Sequence, residues 1–250
     1  MYRYFIKLDY NGTKFHGWQI QPNAITVQEL LNNALSKLLK ENINVVGCGR
    51  TDTGVHARNF YAHFDSKYDN IETGKNFIFK LNRFLPKDIF IHGITQLHND
   101  AHCRFDATER TYKYYISLQK DPFYHMYFLY LYGNINFDKM NLAATKLLDY
   151  TDFTSFSKVD TNTKTNNCKI KKAYWEKSDN ILIFTITADR FLRNMVRAIT
   201  GTLLNVGKNR ISVDDFCKII EAKDRRKAGS SAPANALFLE EVKYPYNLNL

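Results

Sequence analysis

Two kinds of hydrophobic spacing occur along this chain of 250 residues, and together they limit the folds open to it. From Tyr2 to Tyr10, apolar residues recur at every second position, which is typical of a β-strand. From Val27 to Leu39 they recur at helical spacing, behind the helix-start pair Thr26 and Glu29. Because strands and helices do not alternate strictly along the rest of the chain, we expect an α+β fold with mainly antiparallel sheets flanked by helices.

The remaining elements are predicted from the same two patterns and from the turn residues between them. Strands are predicted at Ile43–Val46, Phe60–Phe64, Ile89–Thr95, Thr111–Leu118 and Leu237–Val242, with a hairpin joining Lys169–Lys177 to Ile181–Ala188. Helices are predicted over Lys75–Phe84, behind Asp138, over Leu192–Val206 and behind Ser212. Both halves share an order of strand, helix and strand, so we expect two related lobes, residues 1–105 and 106–250.

The charge balance favours a polyanionic partner. Lys and Arg number 35 against 25 Asp and Glu, which gives a net charge of +10, and aromatic residues make up 14% of the chain. Lys and Arg can follow phosphates while bases stack on aromatic faces, so nucleic acid is a candidate partner. A basic stretch that includes Lys223, Arg225, Arg226 and Lys227 adds to phosphate binding or lies in solvent. The alternative for the whole pattern is a solvated basic surface around an aromatic core.

Several classes of protein lack their sequence signatures here. The four cysteines lie far apart and form no CxxC pair, which argues against a disulfide framework or a metal site and favours a reducing cytoplasm. No P-loop, GxGxxG turn or GxSxG motif is present, so nucleotide hydrolysis, dinucleotide chemistry and serine hydrolysis lack support, and we expect no cofactor. The apolar runs fall far short of the ~20 residues that span a bilayer. Charges within the N-terminal segment argue against a signal peptide.

The segment Gly49–Ala57 is the first candidate site. Glycines bracket the carboxylate of Asp52, and Arg50 lies two residues before it. Glycine lets a substrate approach the backbone closely, and a carboxylate can act as a nucleophile or a general base. The alternative is a simple turn, because an Asp near a Gly commonly hydrogen-bonds to its own backbone.

Two further patterns contain side chains that can bind RNA. Arg190, Arg193 and Arg197 recur at i, i+3 and i+7, which predicts that they share one helical face. Arginine there can bind a phosphate or a carboxylate through two hydrogen bonds, or lie in solvent. In Arg110–Tyr114, aromatic and basic residues alternate on a predicted strand, so Tyr112 either stacks on a base or faces the core.

These motifs occur in the order found in one enzyme family. GRTDTGVHA closely resembles the catalytic signature of the TruA family of tRNA pseudouridine synthases. YNGTKFHGWQIQP and TVQEL precede it in the family's order, and five motifs follow it: LNRFLPKDI, HCRFDATERTYKYYI, DFTSF, FLRNMVRAITGTLLNVG and AKDRRKAGSSAPANALFLEEV. The resemblance therefore covers nearly the whole chain.

The resemblance implies a role for each matching residue. Asp52 is the essential aspartate, Tyr112 packs on the target uridine, and Arg197 pairs with the aspartate. Arg50 helps to turn the base out of the RNA stack. The residues expected to contact tRNA are His102, Arg104, Phe105, Arg193 and the segment from Asp160 to Lys164.

The resemblance also implies an architecture and a reaction. The family has two α+β lobes with an active-site cleft between them, and it forms a homodimer in which a tRNA reaches across both subunits. Its targets are the uridines at positions 38, 39 and 40 in the anticodon stem-loop. Turning uridine into pseudouridine breaks the C1′–N1 bond and joins C5 to C1′ without redox change, which agrees with the lack of cofactor motifs. Asp52 can attack C1′ or C6, or take the proton at C2′, and the sequence does not choose among these.

The chain departs from the family at a few positions near these motifs. Thr53 stands where Ala is common, Asn59 and Phe60 stand where Gly and Gln are common, and Ala236 stands where Gly is frequent. We expect these changes to affect local packing and substrate range. Two alternatives stay open: an RNA-binding module that kept the fold and lost the chemistry, and a metal-dependent RNA enzyme.

Overall fold

The computed structural model of the chain describes residues 1–71, 76–158 and 164–248, and its contacts divide the chain into two compact units. Unit 1 comprises Met1–Thr108 and Leu239–Leu250, and unit 2 comprises Glu109–Phe238. Each unit combines helices with a mainly antiparallel sheet, as the two hydrophobic periodicities predict. No helix within the described ranges is both long and apolar enough to cross a membrane.

The sheet of unit 1 is built around its first strand. The strands are β1 (Tyr2–Tyr10), β2 (Val46–Gly47), β3 (His56–Ser66) and β4 (Ile89–Leu97), and the helices are α1 (Val27–Leu39) and α2 (Phe77–Phe84). β1 pairs antiparallel with β3 on one side and β4 on the other, and β2 pairs antiparallel with β3. The middle of β1 is fully buried, so its residues form the centre of this unit's core.

Unit 2 repeats the combination of a sheet with packed helices. Its elements are β5 (Glu109–Ser117), β6 (Leu129–Tyr130), α3 (Phe137–Lys146), β7 (Ile170–Ser178), β8 (Ile181–Ala188), α4 (Met195–Gly207) and α5 (Val213–Glu221). β8 pairs antiparallel with both β5 and β7, and the short β6 pairs parallel with β5. α3 packs against α4 and β7. A last strand, β9 (Leu237–Lys243), begins in unit 2 and continues into unit 1.

Most predicted elements are confirmed, with shifts at their ends. The first strand, the hairpin and the last strand are present, and Thr26 caps α1 by accepting a hydrogen bond from the N–H of Glu29. Ser212 caps α5 in a capping box with Asp215. The strand predicted at Ile43–Val46 is reduced to the two residues of β2, and the one predicted at Phe60–Phe64 extends over all of β3.

Two predicted helix starts differ from the structure. Asp138 is not the cap of α3, because Asn136 occupies that position and its side chain accepts a hydrogen bond from the N–H of Lys139. Asp138 lies in the first turn, where a negative charge is favourable beside the positive end of the helix dipole. α2 begins at Phe77, and Lys75, where that helix was predicted to start, lies outside the described residues.

The prediction that three arginines share one helical face is wrong. α4 begins at Met195, so Arg190 and Arg193 precede it and only Arg197 lies on the helix. Asn194 adopts a left-handed conformation with φ of 65°, and the chain turns there before the helix begins. Asn tolerates this conformation better than most residues. The apolar spacing did not predict this turn, because Leu192, which lies outside the helix, is also buried.

Candidate active site

Asp52 lies in a tight loop of unit 1 that leads into β3. Its side chain is half-buried, and its backbone carbonyl accepts a hydrogen bond from the N–H of Val55 at 3.1 Å. Gly54 has a φ of 80°, a conformation that residues with side chains rarely adopt. The backbone turn therefore presents the carboxylate at a defined point of the loop.

A second loop, residues 12–18, holds the Asp52 loop by close backbone contact. A Cβ added to Gly17, whose φ is 84°, would lie 2.4 Å from the carbonyl oxygen of Thr51. A Cβ added to Gly12 would lie 2.0 Å from the carbonyl oxygen of Val55. Real Cβ atoms essentially never come within 3.0 Å of such atoms, so both positions require glycine. The spacing of residues did not predict this contact, and the two glycines were the signal that could have revealed it.

Hydrogen bonds complete the support of the Asp52 loop. The N–H of Trp18 donates to the carbonyl of Thr51 at 3.3 Å. The hydroxyls of Tyr10 and Thr51 are hydrogen-bonded at 2.8 Å. His56, which is 1% exposed, accepts a hydrogen bond from the N–H of Gly12 through Nδ1 at 3.1 Å. The histidine of the GVHA motif therefore anchors the loop that carries the glycines.

Arg50 shares the loop with Asp52 and is exposed. A half-buried carboxylate on a fixed loop can attack an electrophilic carbon or accept a proton. An exposed guanidinium can bind a phosphate through two hydrogen bonds. The loop can therefore combine a reactive carboxylate with phosphate recognition, which suits a nucleic-acid substrate.

One family departure near this loop has a structural explanation. Asn59 has a φ of 51°, a conformation that favours glycine and that Asn tolerates. Its N–H donates to the Asp9 carboxylate at 2.7 Å, and its side-chain amide donates to the carbonyl of Glu240 at 3.1 Å. Asn59 thus adopts a backbone conformation that is open to glycine, and its side chain adds one hydrogen bond that a glycine could not make.

In unit 2, Tyr112 is half-buried on β5, opposite Ile186 of β8. Its ring contacts the ring of Phe191 edge-on, with centroids 5.3 Å apart. The nearby Tyr114 is fully buried and donates its hydroxyl to the carbonyl of Pro233 at 2.9 Å. Burial raises the pKa of Tyr114 well above its ordinary value. Tyr114 is therefore a core residue, whereas Tyr112 is only half-buried.

Arg197 is half-buried in the first turn of α4. Its Nε–H donates to the carbonyl of Ala232 at 2.8 Å, and the N–H of Ala232 donates to the carbonyl of Arg197 at 2.9 Å. These two hydrogen bonds tie the side chain and the backbone of Arg197 to residues 229–233, which we call the brace segment. The direction of the guanidinium therefore depends on that segment.

Three of the residues expected to contact tRNA form one turn of unit 1, residues 102–106. His102 accepts hydrogen bonds through Nδ1 from the N–H groups of Arg104 and Phe105, both at 3.2 Å. The ring of Phe105 is 76% exposed, and the guanidinium of Arg104 lies 5.8 Å from its centroid. The turn thus presents an aromatic ring and a cation to solvent, which is a common arrangement for contacting RNA.

A buried histidine supports this turn. His63 is 4% exposed and accepts a hydrogen bond through Nδ1 from the N–H of Cys103 at 3.2 Å. Desolvation, with a smaller contribution from Arg3, lowers the pKa of His63 to about 4. Burial also lowers the pKa of His102. Both rings must be neutral to accept these N–H groups, so the turn depends on two uncharged histidines.

The other expected tRNA contacts lie in unit 2. Arg193 and Lys164 are both exposed, and the carbonyl of Arg193 accepts a hydrogen bond from the N–H of Lys158 at 3.1 Å. Asp160 lies outside the described residues. Among the described residues, no group of three or more His, Cys, Asp or Glu side chains could hold a metal ion.

Comparisons with known proteins match the chain over nearly its full length. A family model described as tRNA pseudouridine synthase matches residues 143–245. The tRNA pseudouridine synthase A of Parabacteroides distasonis is 54% identical over 251 residues, which is 99% of this chain and 98% of that protein. The protein of the same name from Bacteroides fragilis is 55% identical over 98% of both chains. That of Clostridium acetobutylicum is 40% identical over 96% of this chain and 98% of its own length.

Proposed function

The chain belongs to the tRNA pseudouridine synthase A family, whose members are isomerases acting on tRNA, and on that premise we propose its target and its mechanism. The target is uridine at positions 38, 39 and 40 of the anticodon stem-loop. The mechanism is attack or proton removal by the Asp52 carboxylate on an extruded nucleotide, without a cofactor. The observation that carries the proposal is the Asp52 loop, which close backbone contacts at Gly12 and Gly17 hold in place. The chain that contains this loop is similar to the named relatives along at least 98% of its length.

Extruding the target uridine from its stack costs a few kcal/mol, which the protein must offset. In the proposal, Tyr112 stacks on the extruded base, and stacking of a base on an aromatic ring contributes about 1–3 kcal/mol. Arg50 holds the backbone of the opened strand through its phosphate. The net charge of +10 draws the RNA to the surface.

The Asp52 carboxylate needs a charged partner while it reacts, and we assign that role to the Arg197 guanidinium. His102, Arg104, Phe105, Lys164 and Arg193 are proposed to contact the tRNA outside the reacting nucleotide. We further propose that the enzyme acts as a homodimer in which one tRNA reaches both subunits.

The test is pseudouridine formation on an unmodified tRNA transcript in the presence of EDTA. Pseudouridine has the same mass as uridine, so carbodiimide adducts read by primer extension should locate it. We expect stops at the predicted positions with the wild-type enzyme, and loss of each stop when that uridine is replaced by cytidine. Turnover that requires a divalent metal would favour the metal-dependent alternative.

A non-catalytic RNA-binding module is the second candidate, and the exposed Arg104–Phe105 pair would suit it equally well. It predicts that the wild-type protein binds tRNA and leaves every uridine unchanged. Both candidates predict a steep loss of tRNA affinity between about 50 and 200 mM salt, because both rely on phosphate contacts. Only product formation separates them.

A further inference from the structure

Arg225 belongs to a basic stretch whose sequence indicates phosphate binding or plain solvation, and the structure gives it another role. Its side chain is half-buried and turns back on its own chain. One NH group donates to the carbonyl of Gly229 at 3.2 Å, and the other donates to Oγ of Ser231 at 3.0 Å. The planar fork of the guanidinium thus spans two acceptors of the brace segment.

The brace segment is in turn joined to the start of α4. Ser231 Oγ also accepts a hydrogen bond from the side-chain amide of Asn194 at 2.6 Å. Asn194 is the residue before α4, and its side chain makes no capping bond to the helix. Its amide is therefore used to hold the brace segment, while its left-handed backbone sets the direction in which α4 leaves the turn.

The helix itself is shaped to receive the brace segment. A Cβ added to Gly201 would lie 1.9 Å from the carbonyl oxygen of Ser230, so the segment passes directly over the helix backbone at this glycine. The hydroxyl of Thr202 accepts the N–H of Gly229 at 3.0 Å. One residue beyond Ser231, the carbonyl of Ala232 accepts the Nε–H of Arg197.

From these contacts we infer that Arg225 is a positioning residue that acts through Arg197. Its fork fixes Gly229 and Ser231, and these fix the Ala232 carbonyl that orients the Arg197 guanidinium. The inference rests on the proposed function, because it assigns Arg225 a part in the reaction proposed for Arg197. Misplacing a catalytic group by about 1 Å can lower a rate roughly a hundredfold, so a remote fork can control turnover.

The neighbouring Arg226 provides a matched control. It donates to both carboxylate oxygens of Asp224, and its side chain is 87% exposed. Arg226 has the same charge and almost the same position in the sequence, but its side chain bonds to Asp224 and not to the brace segment. The effect of geometry can thus be separated from the effect of local charge.

The experiment compares Arg225→Lys with Arg226→Lys in single-turnover and steady-state assays on the tRNA transcript. Lysine keeps the charge and loses the planar fork. We expect Arg225→Lys to lower kcat roughly tenfold or more, with KM for tRNA and the salt dependence of binding unchanged. Arg226→Lys should leave kcat unchanged. Ser231→Ala should lower kcat in the same direction as Arg225→Lys.

A double-mutant cycle with Arg197→Lys then tests the route of the effect. That variant keeps the charge and lacks the Nε–H that Ala232 accepts. If Arg225 acts through Arg197, Arg225→Lys has no further effect on kcat in this background. A full additional loss would overturn the inference, as would a kcat of Arg225→Lys equal to wild type.

The alternative role of Arg225, a direct phosphate contact, is tested by measuring the salt dependence of tRNA binding for Arg225→Ala. A slope of log affinity against log salt that is smaller by about one would show a phosphate contact and would also overturn the inference. A wild-type enzyme inactive on tRNA would instead refute the proposed function.

Discussion

The loop that carries Asp52 and the helix that carries Arg197 are held in different ways. In unit 1, backbone lies against backbone, and Gly12 and Gly17 provide the space. In unit 2, the brace segment also needs the space at Gly201, and the side chain of Arg197 is oriented in addition by hydrogen bonds that start at the fork of Arg225. Adding an atom to a glycine therefore disrupts the support in either unit, whereas removing the donors of Arg225 disrupts only the orientation of Arg197. The Arg197 side chain is thus sensitive to a class of substitution that leaves the Asp52 loop unchanged.

Removing the Arg197 side chain should have the largest effect among substitutions outside Asp52. A preorganised electrostatic partner typically contributes about 10²–10³-fold to a rate, so Arg197→Ala should lower kcat by about that factor. The measurement is kcat on the tRNA transcript with tRNA binding in parallel, and an unchanged kcat would refute the assignment.

Adding one methyl group to the glycine support should have the next largest effect. Gly17→Ala places a Cβ against the Thr51 carbonyl at a positive φ, so the Asp52 loop must move. We expect kcat to fall about a hundredfold and the free energy of unfolding to fall by about 3 kcal/mol.

The control for this prediction is Gly133→Ala, assayed for kcat and for urea unfolding. Gly133 has a φ of 92°, but a Cβ there would have nothing within 4 Å. Gly133→Ala should therefore lower the free energy of unfolding only by the cost of a side chain at positive φ, about 1–2 kcal/mol, and keep full activity. Equal losses at both glycines would contradict the role of the close contact.

Acid should destabilise unit 1 through His63. Its pKa is about 4 in the folded chain against an ordinary 6.5, so the unfolded chain binds more protons between these values. The stabilisation is complete above pH 6.5 and falls progressively as the pH drops to about 4, by roughly 3 kcal/mol in all at about 1.4 kcal/mol per pKa unit.

Urea unfolding against pH measures this loss, and His63→Gln serves as the comparison. Glutamine can still accept the N–H of Cys103 through its side-chain oxygen and does not titrate. The variant should therefore show a flatter pH dependence between about 4 and 6.5. The protection of the amides of residues 103–105, relative to their intrinsic exchange rate, should fall in acid before that of α4, and the reverse order would be evidence against this role for His63.

The smallest effect is expected at the buried tyrosine of unit 2. Tyr114→Phe removes the hydroxyl that donates to Pro233, next to the residue that holds Arg197. Loss of one neutral hydrogen bond should lower the free energy of unfolding by about 1 kcal/mol and kcat by less than the Arg225 variant. A kcat loss larger than that of Arg225→Lys would show that Tyr114, rather than the fork of Arg225, is the main support of the brace segment.

Hydrophobic spacing predicted the fold class well because burial imposes it on each element. Tyr2–Tyr10 and the hairpin of β7 and β8 follow their patterns closely. The start of α4 could not be predicted in this way. Leu192 fits the helical spacing and is buried, although it lies in the turn before the helix. The return of Leu239–Leu250 to unit 1 also leaves no local signal, since it depends on contacts with residues far away in the sequence.

The sequence could predict which residues belong to the candidate site, but not how they are arranged. The GRTDTGVHA motif directed attention to Asp52, but the supports at Gly12 and Gly17 lie about 35–40 residues earlier and carry no chemistry. The basic residues of the Lys223–Lys227 stretch look alike in the sequence. Only the structure separates the fork of Arg225 from the exposed Arg226.

The most direct test of the central claim is a single-turnover assay of Asp52→Asn beside the wild type, with tRNA binding measured in parallel. Asparagine keeps the size and the hydrogen-bonding shape of aspartate but can neither attack carbon nor accept a proton as a carboxylate does. We predict no pseudouridine from the variant and tRNA affinity close to that of the wild type. Pseudouridine formed at the wild-type rate by Asp52→Asn would contradict the assignment of Asp52 and the mechanism built on it.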